Sequence, residues 1–124
     1  MKKFTLLLLF LSLSFACSND DDSKETPCTT EVVPGLEILV TDAQNIPVTE
    51  GITVVAIDGS YSEELNTVPV ENIYNGAFER AGTYTIIITG TGYKTYTSEP
   101  ITVEADRCHV VTQKTTVQLD DAAE

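Results

Sequence analysis

Few side chains of this sequence are suited to acid–base or nucleophilic chemistry. His109 is the only histidine among 124 residues, so one chain cannot build a catalytic histidine pair or a metal triad of histidines. Activating a hydroxyl as a nucleophile requires a base beside it, and we expect no histidine or lysine near enough to Ser60, Ser62 or the threonines. We interpret His109, which follows Cys108, as a structural or exposed residue of a strand.

Adjacent acidic residues occur at two places, Glu63 with Glu64 and Asp120 with Asp121. Neighbouring residues of a β-strand point to opposite faces, so neither pair converges on one substrate. Together with the single histidine, this pattern predicts a protein without enzymatic activity and without a cofactor.

Asp42, Asp58 and Asp106 lie at predicted strand ends, where loops at one end of a sandwich come together. Clustered carboxylates and carbonyls are the ligands that calcium prefers, which makes these three the only metal-ligand candidates. Aspartates at strand ends also form turns by accepting backbone amides, and both interpretations stay open.

Carbohydrate binding would require exposed aromatic platforms. The chain has no tryptophan, and the strand pattern predicts that Tyr84 lies in the core. The remaining candidates for a sugar platform are Tyr61, Tyr74, Tyr93 and Tyr96.

The elements that must position these residues are β-strands. Apolar residues alternate with polar ones in "LEILVTD", "ITVVAIDG", "TYTIIITG", "ITVEAD" and "TTVQLD", and Gly, Asn, Asp and Pro separate these runs. Weaker strands are predicted in "NTVPVENIY" and "CHVVTQ", and Asn75-Gly76 is a hairpin signal. We predict an all-β protein, a single antiparallel β-sandwich of about seven strands with Greek-key connections.

These strands resemble a known module. The opening "VTDAQNIPV", the strand "GTYTIIITGTGY" and the closing "DRCHVVT" are similar to the carboxypeptidase regulatory-like domain, whose sandwich is transthyretin-like (prealbumin-like). The resemblance covers residues 28–119. It implies a fold but no particular activity, because proteins of one fold can have different functions. The enzymes of this fold use several histidines and a "YRGS" tail, both absent from this chain.

The N-terminus has the three parts of a secretory signal. Lys2 and Lys3 precede an apolar stretch at residues 6–15, and Ala16 is small. This stretch is shorter than the roughly 20 residues of a membrane span. Cys17 follows at once, which resembles the lipobox of bacterial lipoproteins, although Ser14 replaces the usual leucine. The resemblance implies that residues 1–16 are a signal peptide and that Cys17 is lipidated, with palmitate among its acyl chains; cleavage that leaves a free Cys17 thiol is the alternative.

The segment "SNDDD" resembles an acidic tag that directs lipoproteins to the cell surface in one group of Gram-negative bacteria. It also fits a solvated tether, because so charged a segment cannot pack into a core. We predict a lipidated cysteine and acidic tether at residues 17–27 and an acidic tail at residues 120–124. The expected location is the outer membrane with the domain facing the exterior, and the periplasmic face is the alternative.

The number of cysteines indicates whether Cys28 and Cys108 can form a disulfide. If lipid occupies Cys17, two of the three cysteines remain, and an oxidising compartment permits them to pair. We predict a disulfide between them, with two separately buried thiols as the alternative.

Charge excludes one class of partner. Removing Lys2 and Lys3 with the signal leaves five basic and 19 acidic residues, a formal charge of −14, which repels nucleic acid. The expected function is non-catalytic: a membrane-anchored module for adhesion, assembly or accessory interaction with a protein or glycan at the cell envelope. Strand edges are its expected working surface. A carbohydrate-binding lipoprotein and a calcium-stabilised binding module are the alternatives.

Overall fold

Nine β-strands form where apolar and polar residues alternate between turn residues. The computed structural model describes residues 27–123, and every regular element in that range is a strand. In chain order they are β1 (Leu36–Thr41), β2 (Ile52–Asp58), β3 (Tyr61–Glu64), β4 (Asn66–Val68), β5 (Ile73–Gly76), β6 (Gly82–Gly90), β7 (Tyr96–Thr97), β8 (Ile101–Val103) and β9 (Gln113–Gln118). The predicted signal peptide and the predicted lipidation site Cys17 lie outside the described residues.

The strands form two packed sheets, which confirms the all-β sandwich. One sheet has the order β4-β5-β1-β9, and the other has the order β3-β2-β6-β7 with β8 also pairing with β6. All pairs are antiparallel except one, since β1 and β9 run parallel from Leu36 beside Gln113 to Thr41 beside Gln118. A parallel neighbour arises because β9 re-enters the first sheet after the chain has crossed to the second.

The faces predicted from alternation are the faces that form the core. Leu36, Ile38 and Val40 of β1 are fully buried against Tyr84, Ile86 and Ile88 of β6 and their neighbours. Packing two such faces removes apolar surface from water and is the main favourable contribution to folding. The core also includes Val54, Ala56, Leu65, Val103, Val117 and Leu119.

Three local predictions differ from the structure. The segment "NTVPVENIY" contains two strands, β4 and β5, joined through a turn. The predicted hairpin at Asn75-Gly76 is wrong, because both residues lie within β5 and pair with β1. Gly76 is required there for space: an added Cβ would overlap the side chains of Leu65 and Glu63. The segment "CHVVTQ" is largely a turn, and β9 begins only at Gln113.

The C-terminal residues extend the paired structure past Leu119. The N–H of Lys94 donates to the Asp120 carbonyl at 2.9 Å, and the N–H of Ala122 donates to the Gly92 carbonyl at 2.9 Å. Residues 120–122 are therefore bonded to the loop after β6 rather than being only a charged tail. Within residues 27–123, no helix has the length and apolar character that a membrane crossing requires.

Candidate functional site

One end of the sandwich is closed by a covalent bond. Cys28, in the segment before β1, forms a disulfide with Cys108, in the turn before β9, and their Cα atoms are 5.3 Å apart. This confirms the predicted pairing and removes the alternative of two separate thiols. We call this region the stapled end and define it by Cys28, Thr29, Glu79, Cys108 and His109.

Glu79 connects the stapled end to the rest of the molecule. It lies in the β5–β6 loop with a left-handed backbone (φ 50°). Its Oε1 accepts the N–H of Val33 at 2.8 Å, and its Oε2 accepts the N–H of Val110 at 3.4 Å. The Val33 N–H bond, followed by the bond from His109, lowers the pKa of this carboxyl below its usual value.

A chain of hydrogen bonds links Thr29, His109 and Glu79. His109 Nδ1 lies 2.6 Å from Glu79 Oε1, and His109 Nε2 lies 2.9 Å from the Thr29 hydroxyl. A carboxylate only accepts, so Nδ1 carries a proton and donates to Glu79, and Nε2 is the ring nitrogen that faces the threonine hydroxyl. The expectation that no threonine has a histidine beside it is therefore wrong. The disulfide explains why Thr29 and His109 are close: joining Cys28 to Cys108 brings the residues that follow them together.

The order hydroxyl, imidazole, carboxylate is also that of a nucleophilic triad. Acyl transfer further requires N–H donors directed at the developing oxyanion. In the same turn, the N–H groups of Cys108 and His109 both donate to Asp106 Oδ1, at 2.8 and 2.9 Å. These bonds form a turn, so His109 lies outside any strand, contrary to the prediction. They also mean that the backbone N–H groups closest to the imidazole in the chain already donate to Asp106.

The three candidate metal ligands have separate local roles. Asp42 Oδ1 accepts the N–H groups of Gln44 and Ile46, which makes it a turn former like Asp106. Asp58 pairs instead with Arg80 at 2.9 Å. Among residues 27–123, no group of three or more His, Cys, Asp or Glu side chains is arranged to hold a metal ion.

Arg80 organises a second polar cluster at the β2–β3 turn. Its guanidinium lies 3.7 Å above the centre of the Tyr61 ring and donates to the Tyr84 hydroxyl at 2.9 Å. The Tyr61 hydroxyl donates to Glu63, which raises the pKa of Tyr61. Glu63 also accepts the N–H of Ala77 with both oxygens, so its role is to fix the β5–β6 loop.

The four tyrosines considered as sugar platforms all pack against the protein. Tyr74 is buried, and its hydroxyl donates to the Val48 carbonyl at 3.1 Å. Tyr61, Tyr93 and Tyr96 are partly buried against the core. Arg80 covers one face of the Tyr61 ring.

A groove of about 330 Å³ lies on the outer face of the β4-β5-β1-β9 sheet. We call it the outer groove; it is lined by Glu37, Leu39, Glu71, Ile73, Lys114, Thr115 and Thr116. Lys114 Nζ lies 3.2 Å from Glu37 Oε2, so a cross-strand ion pair forms one side and Leu39 with Ile73 form an apolar floor. The groove adjoins β9, the last strand of its sheet.

Sequence reasoning identified the cysteines but missed Thr29, Glu79 and the outer groove. The only available signal for Thr29 was its position one residue after Cys28, matching that of His109 after Cys108. The chain matches no protein-family model, and no curated protein is similar enough to match it.

Proposed function

We propose that this protein is a lipid-anchored, non-catalytic interaction module of the bacterial cell envelope. The observation that carries the proposal is the Cys28–Cys108 disulfide. Disulfides form in exported proteins, and with Cys28 joined to Cys108, Cys17 is the remaining one of the three cysteines. A cysteine placed directly after a signal-like segment is then best explained as the site of lipid attachment.

The two-sheet all-β architecture supports assigning the domain to the carboxypeptidase regulatory-like class with a transthyretin-like sandwich. The sequence resemblance covers residues 28–119. We propose that this domain acts by binding other molecules through its surface, in adhesion, assembly or accessory interaction. Its partner is a protein or a glycan of the envelope and is not a nucleic acid, because the mature chain would carry a charge of −14.

The anchor determines where the domain works. Residues 18–27 connect Cys17 to the stapled end and span at most about 35 Å when extended, at ~3.5 Å per residue. The domain therefore stands close to the membrane with its stapled end nearest the anchor. We propose the outer membrane as that membrane, with the acidic "SNDDD" segment favouring exposure to the exterior over the periplasmic face.

Detergent phase partitioning of the natively expressed protein tests the anchor. We expect the wild-type chain in the detergent phase, and a mass spectrum of its N-terminal peptide with acyl chains on Cys17. The Cys17→Ala variant should be exported as a soluble protein with its disulfide intact. Recovery of the wild-type protein wholly in the aqueous phase would contradict the proposal.

Protease treatment of intact cells separates the two faces of the outer membrane. A surface-exposed domain is cleaved or released by added protease, whereas a periplasmic one is degraded only after the outer membrane is opened. Protection in intact cells together with detergent partitioning would place the domain on the periplasmic face.

A further inference from the structure

We propose that the stapled end contacts the lipid surface through three exposed apolar side chains, Val32, Phe78 and Val111. We call these three residues the apolar rim. Its ligand is the interfacial region of a membrane of little net charge, where acyl chains meet the polar head groups. This inference rests on the proposed function, because the anchor at Cys17 brings that surface to the domain.

The apolar rim surrounds one carboxylate. It contains three of the five exposed large apolar residues found within residues 27–123. Phe78 directly precedes Glu79. The other two rim residues adjoin Val33 and Val110, whose N–H groups donate to the Glu79 carboxylate at 2.8 and 3.4 Å. Each rim residue is therefore at most one position along the chain from Glu79 or from a residue bonded to it.

The rim side chains are exposed although their neighbours in the chain are not. Val32 is 66% exposed, Val111 47% and Phe78 40%. Each adjoins a residue that packs in or against the core, namely Val33, Val110 and Ala77. The core therefore holds the backbone in place while the rim side chains stay in water, and removing their apolar surface from water is favourable.

The three segments that carry the rim are joined to one another. The disulfide joins the segment before β1 to the turn before β9, and Glu79 connects both of them to the β5–β6 loop. A surface that is already ordered loses less conformational entropy when it binds. A small number of apolar side chains is then enough for a contact that the anchor supports.

The position of the anchor determines which surface the rim meets. The disulfide holds residue 28 at the stapled end, and residues 18–27, which connect it to Cys17, span at most about 35 Å. A short tether gives the tethered surface a high effective concentration. The membrane that holds Cys17 is therefore the surface that the stapled end meets most often.

Charge determines which kind of lipid the rim contacts. The mature chain, with a charge of −14, repels anionic lipid, so burial of apolar surface must produce the contact. The carboxylates of Glu79 and Asp106 already accept backbone N–H groups. Glu31, exposed beside Val32, needs hydration, and this limits the contact to the wet interfacial region.

Two exposed apolar residues at the opposite end of the sandwich are matched controls. The strand β1 begins beside the stapled end and runs away from it for six residues, about 20 Å at ~3.3 Å per residue. Ile46 bonds to Asp42, just past the far end of β1. Val70 lies in the β4–β5 turn, at the same far end because β5 is antiparallel to β1.

Tryptophan fluorescence in vesicles tests the contact. The chain has no tryptophan, so Val111→Trp provides a single reporter at the rim and Ile46→Trp provides its control at the far end. Each variant of the natively expressed protein is reconstituted in phosphatidylcholine vesicles with and without bromine on the acyl chains. We expect brominated lipid to lower the fluorescence of Val111→Trp about twofold or more and to leave that of Ile46→Trp unchanged.

A second measurement uses protein without tryptophan, so that the reporter itself cannot cause the contact. Spin-labelled head groups in lipid nanodiscs should broaden the amide NMR signals of the rim more than those of Ile46 and Val70. Phe78→Ser should reduce this broadening, whereas Val70→Ser should not. Raised salt should also leave it unchanged, because salt screens charges and not apolar contacts.

Three results would overturn the proposal. One is equal quenching or equal broadening at the two ends, which would mean that the stapled end has no preference for the membrane. Another is absence of quenching at Val111→Trp while the protein stays bound to the vesicles. The third is a dimer of the Cys17→Ala chain in sedimentation that Phe78→Ser dissociates, since a second copy would then cover the rim.

The contact and the anchor are tested separately. Vesicles that retain the protein without quenching of Val111→Trp contradict the contact and leave the anchor unaffected. If phase partitioning shows that Cys17 is not acylated, its free thiol is coupled to a maleimide lipid in the same vesicles. The fluorescence measurement then decides on the contact although the proposed anchor has failed.

Discussion

Glu79 joins three segments of the chain through one carboxylate. From the β5–β6 loop, it accepts hydrogen bonds from Val33 in the segment before β1 and from His109 and Val110, which are neighbours in the segment before β9. A carboxylate satisfies several donors at once because its two oxygens offer about four acceptor sites. This side chain therefore links the β5–β6 loop to both segments that the disulfide joins.

The lowered pKa of Glu79 predicts a pH-dependent contribution to stability. A carboxyl whose folded pKa lies below its unfolded value of about 4.5 stabilises the fold fully above that value and loses the contribution as pH falls through the folded pKa. Glu79→Gln should therefore lower the melting temperature at pH 7, and its difference from wild type should shrink toward pH 3.

Thermal melts between pH 3 and pH 7 measure this difference. Glu99→Gln, at an exposed position, is the matched control and should follow the wild-type curve. Asp106 also has a lowered pKa because it accepts the N–H groups of His109 and Cys108, so the Glu79→Gln variant should retain some acid sensitivity. A difference that stays constant from pH 7 to pH 3 would show that Glu79 does not contribute through its charge.

The Thr29–His109–Glu79 chain leads to a prediction about catalysis. The N–H groups of Cys108 and His109 are committed to Asp106, and Glu79 is committed to two backbone amides, so we expect a structural clamp. Wild-type and Thr29→Ala proteins should hydrolyse p-nitrophenyl acetate at the same rate, since both retain the histidine. Faster hydrolysis by the wild type, with an acyl group found on Thr29 by mass spectrometry, would identify an enzyme instead.

At the scale of elements, β6 is the strand on which the second sheet depends. It pairs with β2, β7 and β8, and its Tyr84, Ile86 and Ile88 are fully buried. Ile87 lies between them on the outer face and is only half-buried. One strand thus carries both a core face and a surface face at alternate residues.

This arrangement predicts opposite results at neighbouring positions. Ile86→Asp or Ile88→Asp would bury an unpaired charge at a cost of roughly 4 kcal/mol or more, a large part of the net stability of about 5–15 kcal/mol typical of a domain. Soluble expression should be lost. Ile87→Asn, the control, should be expressed and unfold in urea within about 1–2 kcal/mol of wild type; equal tolerance at all three positions would show that the register of β6 is incorrect.

At the scale of the whole molecule, the disulfide closes nearly the entire domain into one loop. Cys28 and Cys108 are separated by 80 positions, and eight complete strands, β1 to β8, lie between them. Closing so long a loop restricts the unfolded chain more than the folded one. The bond also fixes the start of the domain, residue 28, beside the turn before β9.

Replacing both cysteines, Cys28→Ser with Cys108→Ser, should therefore destabilise the protein by up to about 4–5 kcal/mol in the chain-entropy model. The double variant avoids the unpaired thiol of either single one. Denaturant unfolding measures the change, and Cys17→Ala, which leaves the bridge intact, is the control. An unchanged midpoint in the double variant would mean that the disulfide contributes nothing to stability.

The sequence alone determined the main strands and their buried faces, and counting cysteines predicted the Cys28–Cys108 bridge with two separate thiols as the alternative. The strands and faces follow from a local rule: alternation of period two assigns Leu36, Ile38 and Val40 to one face without knowledge of the neighbouring strand. The same locality explains the errors. Asn75-Gly76 has the composition of a turn, but Gly76 is needed because Leu65 and Glu63 approach the backbone there, and that approach is set by residues more than ten positions away.

Tertiary structure alone decided what meets across the molecule. The parallel pairing of β1 with β9, the Thr29–His109–Glu79 chain and the outer groove all join residues far apart in sequence. No local pattern encodes such contacts, because they depend on how the chain crosses between two sheets. The single histidine and the many acids were visible in the sequence, but their partners became defined only when the sandwich closed and the disulfide fixed its end.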